Sequence, residues 1–159
     1  MPTDPEPAAE PSVAGSGPAW LAKLLAAVPY LLPLYWIALF TGTHLPGGEG
    51  PPVAEYDKLA HFVGYAGLAF LVTLFLGRKT RVTLPLAATA VLVAVAFGIV
   101  DEATQPFVGR DTEFLDWVAD LGGAVTGAAA AWFILRKRPA APAASAASTP
   151  PADAPTSPQ

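Results

Sequence analysis

The stretch Val82–Arg138, "VTLPLAATAVLVAVAFGIVDEATQPFVGRDTEFLDWVADLGGAVTGAAAAWFILRKR", decides how the chain is read. It holds two apolar runs of about 20 residues, the length a helix needs to cross roughly 30 Å of hydrocarbon. Between Gly98 and Gly127 it also holds six carboxylates, Asp101, Glu102, Asp111, Glu113, Asp116 and Asp120, out of 13 Asp and Glu in the whole chain. Greasy helices with nearly half the acids at their junction call for a physical reason.

Outward from that stretch the same texture recurs. The chain of 159 residues is 53% hydrophobic and 14% charged. An average soluble domain carries about 25% charged residues, so this is too little charge for a soluble surface. Four apolar segments fit membrane spans, at about 20–40, 58–76, 82–103 and 113–135. Pro29 and Pro33 lie inside the first span and are expected to kink it. Pro85 falls in the first turn of the third span, where a missing N–H costs little, and Pro106 stops that span. The expected fold is an all-α integral membrane protein, a compact four-helix bundle over 20–138. The Pro- and Ala-rich tails, 1–19 and 139–159, bury too little apolar surface to offset chain entropy and are expected to be disordered. The N-terminal tail lacks the basic region of a secretory signal. There is no cysteine, which excludes disulfides, thiolate nucleophiles and Cys-type metal sites.

Lys and Arg close to helix ends set orientation. Arg78, Lys79 and Arg81 follow the second span, and Arg136, Lys137 and Arg138 follow the fourth. The expected protein is therefore multi-pass in the plasma membrane with both termini cytoplasmic; Lys23 agrees. The loops Thr41–Asp57 and Thr104–Thr112 then face outward, and the acids lie at the outer interface rather than the bilayer midplane.

Residues three or four apart share a helix face. Asp57, His61 and Tyr65 make one stripe, with Lys58 beside it. Asp101 and Glu102 share faces with Gln105; Glu113, Asp116 and Asp120 make a third stripe, and Arg110 is the expected cation to bridge these helices. A carboxylate inside an apolar span costs a few kcal/mol on insertion scales unless it is paired, protonated or wetted. Plainer roles compete. Asp57 could cap a helix, Asp111 and Glu113 could be solvated charges near a helix N-terminus, and Asp116 and Asp120 could serve an ion pair with Arg110. Small residues add a packing signal. Ala60, Gly64 and Gly67 lie on one side of span two, and Ala119, Gly123, Gly127 and Ala131 recur every four residues on span four, which suggests close backbone approach and a central span four.

"YDKLAHFVGYAGLAFL" followed by "DEATQPFVGRDTEFLDWVADLGGAVTG" resembles the VanZ-like family of small membrane proteins. That family's pattern reads roughly D-K-x-x-H-F-x-x-Y, then D-E-x-x-Q, a basic Arg, and D-x-x-x-N-x-x-G-x-x-x-G. Here it picks out Asp57, Lys58, His61, Phe62 and Tyr65, then Asp101, Glu102 and Gln105, then Arg110, Asp116, Gly123 and Gly127. The match covers about Tyr56 to Trp132. Asp120 departs from it, standing where the family often has Asn. The resemblance implies a four-helix membrane protein and a link to resistance against teicoplanin-type glycopeptides.

Three functions follow from the residues. One is an accessory protein that binds or modulates a lipid-linked or cell-wall component through Asp57, Lys58, His61, Tyr65, Asp101, Glu102, Gln105, Arg110, Asp116 and Asp120. The second is a membrane enzyme, with His61, Glu102 and Asp116 as catalytic candidates. No cofactor is expected beyond a divalent cation option at Asp101, Glu102, Asp116 and Asp120, an oxygen-rich set suited to Mg²⁺, Mn²⁺ or Ca²⁺. The third is a proton-linked carrier using Asp116 and Asp120. The lipid bilayer is the expected environment. Few basic residues and no phosphate-loop pattern speak against nucleic-acid and nucleotide roles, and oligomeric state is open.

Overall fold

The computed structural model describes residues 18–45 and 54–138, with the backbone alone at 54–55. The tails expected to be disordered lie outside the described residues, apart from 18–19. Four helices follow one another: α1 (Ala19–Thr43), α2 (Ala54–Gly77), α3 (Leu84–Thr104) and α4 (Phe114–Leu135). All four are long and apolar enough to cross a membrane, and no strand occurs among the described residues.

Local chemistry explains the boundaries. The Thr83 hydroxyl accepts a hydrogen bond from the Leu86 N–H and caps α3, with Pro85 in the first turn. Pro106 has no N–H to give and ends α3; the chain tightens into a 3-10 turn, Gln105–Val108. Gly109 then takes φ +77°, the left-handed conformation that glycine adopts without penalty, and turns the chain toward α4. α1 runs through Pro29 and Pro33 as one helix. α2 starts at Ala54, earlier than its apolar run, so the charged segment Tyr56–Lys58 is already helical.

α2 packs on all three other helices, and its contact with α4 is the largest between helices among the described residues. This corrects the expectation that α4 is the central span: α2 is. The small residues explain how. A Cβ added at Gly123 would run into the Phe62 carbonyl, and one at Gly127 into the Ala66 carbonyl, so α4 lies backbone to backbone against α2. Gly64 and Gly67 face α1 instead, seating Leu39 and Tyr35, while Ala60 is exposed. Tyr65, Leu68, Ala69, Ala90, Ala94 and Ala124 form the midsection of the core. Leu21, Leu25, Leu74, Val82 and Leu135 close the end that carries Arg78, Lys79, Arg81 and Arg136. Apolar side chains such as Tyr30, Leu34, Leu92 and Phe133 point outward, as lipid-facing residues do.

Candidate functional site

The end opposite the basic cluster is formed by the C-terminal ends of α1 and α3 and the N-terminal ends of α2 and α4. The acids gather there in three tiers.

The outermost tier consists of ion pairs. Arg110 donates to both Asp57 carboxylate oxygens at 2.9 Å. Lys58 Nζ lies 2.6 Å from Glu113 Oε2 and 3.3 Å from Asp116 Oδ1. The expected bridge from Arg110 to Asp116 and Asp120 is therefore not formed; Lys58 takes Asp116, because it stands one residue from the Asp57 stripe and faces the first turn of α4. Asp111 is exposed.

The middle tier is buried. His61, 2% exposed, sets Nδ1 2.9 Å from Asp120 Oδ1 and 4.0 Å from Glu102 Oε1. Glu102 Oε2 accepts the Glu113 N–H at 3.3 Å, and the Glu102 carbonyl accepts the Thr112 hydroxyl at 3.1 Å, which ties the α3–α4 connection across the site. Tyr65 lies one turn deeper, its ring parallel to His61 within 4°. Gly98 makes room here: a Cβ on it would stand 3.0 Å from Asp120 Oδ2 and 3.4 Å from Tyr65 Cε1.

The third tier joins α1 to α3. The Thr43 hydroxyl donates to Asp101 Oδ1 at 2.8 Å. His44 Nδ1 donates to the Phe40 carbonyl at 2.9 Å, and its Nε2 meets the Thr104 hydroxyl at 2.9 Å. Thr43, His44, Thr104 and Gly98 were not singled out from the sequence. The one available signal was the polar "TGTH" at the end of an apolar run.

Buried polar groups normally find partners, yet several atoms here have none: His61 Nε2, Tyr65 Oη, Asp101 Oδ2, Glu102 Oε1, Asp120 Oδ2 and both amide atoms of Gln105. All of these side chains are at least nine-tenths buried. The predicted site residues thus come together at one end, but not in the predicted metal grouping. Asp101, Glu102, Asp116 and Asp120 do not form one set. His61, Glu102 and Asp120 present ligand atoms within 4.8 Å of one another, as do Asp57, His61 and Asp116, and Asp101 belongs to neither. The acids separate because each helix turns its carboxylate toward a different neighbour, and the imidazole at the centre is what both groups share.

No curated protein and no solved structure matches the chain at a significant level. A model of the VanZ/LLP1 family matches residues 10–136, which takes in α1 as well as the two motifs on α2 and α3–α4. With four apolar helices and a match over most of its length, the chain is a multi-pass membrane protein that belongs to the VanZ/LLP1 family.

Proposed function

We propose that this chain is an envelope-facing protein of the plasma membrane, both termini cytoplasmic, that binds or modulates a lipid-linked or cell-wall component at its polar end. The observation that carries this reading is the convergence of buried hydrogen-bonding atoms without partners, from α2, α3 and α4, at one end of the bundle. A headgroup bearing ammonium or amide groups suits the free carboxylate oxygens of Asp101, Glu102 and Asp120 and the Gln105 amide. The outer pairs Arg110–Asp57 and Lys58–Glu113 are partly exposed, and exposed pairs hold weakly, so they can yield to an entering ligand. The VanZ family's link with teicoplanin-type glycopeptides supports a ligand of this kind. A photo-crosslinking residue in place of Phe107, which is exposed on the 3-10 turn beside the site, tests it in cells. A covalent adduct with a lipid-linked or wall precursor is expected; adducts with bulk phospholipid alone contradict the reading.

A second reading is membrane-embedded acid–base catalysis, favoured by the 2.9 Å contact of His61 with Asp120. A base oriented by a carboxylate is the usual arrangement for moving a proton. His61→Gln separates the two: a binding protein keeps both ligand occupancy and its effect in cells, whereas an enzyme keeps occupancy and loses that effect together with turnover.

A further inference from the structure

The charges at the polar end do not balance in the same way everywhere. Asp57 is held by Arg110 through two hydrogen bonds, and Asp116 by Lys58. Asp116 and Asp120 are equally buried, each 1% exposed, and Glu102 is 6% exposed, but no Lys or Arg reaches Glu102 or Asp120 among the described residues. Their positively chargeable neighbour is His61. Two buried carboxylates against one imidazole leave negative charge in an apolar bundle, which is costly.

The distances suggest what resolves it. Glu102 Oε1 lies 4.0 Å from His61 Nδ1, too far for a hydrogen bond, and it has no other partner. In a tetrahedral shell two atoms bound to one ion at about 2.0–2.2 Å stand roughly 3.3–3.6 Å apart. His61 Nδ1 lies 2.9 Å from Asp120 Oδ1 and 4.0 Å from Glu102 Oε1, and the three residues offer ligand atoms within 4.8 Å of one another, so small side-chain shifts bring the set onto one ion. In the other group that includes His61, Asp57 is paired with Arg110 and Asp116 shares Lys58 with Glu113, so both of its carboxylates already meet a cation. We propose that His61, Glu102 and Asp120 bind one divalent transition-metal ion, zinc foremost, where α2, α3 and α4 meet. A dication beside neutral His61 balances both carboxylates. One imidazole and two carboxylates suit zinc better than magnesium or calcium, which favour all-oxygen shells. Three protein ligands leave a fourth position open to water or a substrate oxygen. The proposal concerns the same polar end as the envelope reading but does not need an envelope ligand.

The test is metal content and affinity of the full chain, purified in detergent with a histidine-free tag, with Zn²⁺ as the probe and Mg²⁺ as comparator. One zinc per chain is expected. Glu102→Gln and Asp120→Asn are each expected to weaken zinc binding by about a hundredfold or more, since even groups behind metal ligands are worth roughly ten- to a hundredfold. Asp57→Asn is expected to keep it. No zinc on folded wild-type protein overturns the proposal; zinc lost in Asp57→Asn but kept in Glu102→Gln moves the ion to the outer group and overturns it equally. Should the buried variants not fold, X-ray absorption on the zinc-loaded wild type and on zinc-loaded Asp57→Asn decides: the same shell of one imidazole among oxygen scatterers is expected in both, and a shell without imidazole, or one altered in Asp57→Asn, refutes the assignment. Each of these outcomes leaves the crosslinking test of an envelope ligand to stand or fall separately.

Discussion

At the scale of single residues, burial ranks the polar side chains. Arg110 and Asp57 are paired in good geometry but partly exposed, and such pairs contribute about 0–1 kcal/mol. Arg110→Ala is accordingly expected to leave thermal stability in detergent nearly unchanged. Thr43→Val is expected to do more. It removes the donor to Asp101, which is fully buried, and an acceptor left alone in that setting costs about 1–3 kcal/mol. A melting temperature for Thr43→Val no lower than that of Arg110→Ala would contradict this ranking. Gly98→Ala is a subtler probe. Its new methyl presses on Asp120 Oδ2 at 3.0 Å, so it should disturb the His61–Asp120 contact, read as a shifted imidazole resonance by NMR, with the fold retained. The clustering of the candidate residues was legible in the sequence where helical periodicity alone places them, as in Asp57, His61 and Tyr65. Which cation meets which acid was not legible, because pairing depends on the rotation and depth of each helix. Sequence favoured Arg110 for Asp116, whereas helix packing gives that acid to Lys58. Thr43 and His44 stayed hidden for the same reason: their partners, Asp101 and Thr104, are on another helix.

At the scale of elements, the α2–α4 pair holds the site together. His61 and Asp120 sit on these two helices, and the glycine contacts lie one and two turns deeper. An added Cβ at Gly123 would stand 2.9 Å from the Phe62 carbonyl carbon and 3.0 Å from the Ala66 nitrogen. Neither can swing aside as a flexible side chain would, so the helices must separate. Overpacking of this kind costs about 1–3 kcal/mol. Gly123→Ala is therefore expected to lower the melting temperature more than Gly122→Ala, where the nearest atoms belong to the Phe62 ring at 3.4 Å and beyond. Equal melting temperatures for the two would argue against the close α2–α4 approach. The spans were legible because unbroken apolar runs of this length have few alternatives. The start of α2 was less so: the charged turn ahead of the run is helical too, since backbone hydrogen bonds continue past the edge of hydrocarbon and acids are favoured near a helix N-terminus.

At the scale of the whole molecule, the bundle is a polarised object. Arg78, Lys79, Arg81 and Arg136 mark one end, and the buried carboxylates mark the other. Arg78 lies 3.7 Å over the Phe75 ring, and Arg136 lies 4.5 Å from the Phe133 ring centre, as basic groups anchored at a membrane interface do. The orientation proposed here, from the positive-inside rule, turns the basic end to the cytoplasm and the carboxylate end to the envelope. An envelope ligand requires that orientation, and a chain without cysteine makes it directly measurable. The decisive measurement places single cysteines at Gly109 and, separately, at Lys79, both exposed, and labels intact cells with a membrane-impermeant maleimide. Labelling at Gly109→Cys and none at Lys79→Cys is the predicted result. The inverse pattern would put the carboxylate end in the cytoplasm and contradict the envelope-facing account.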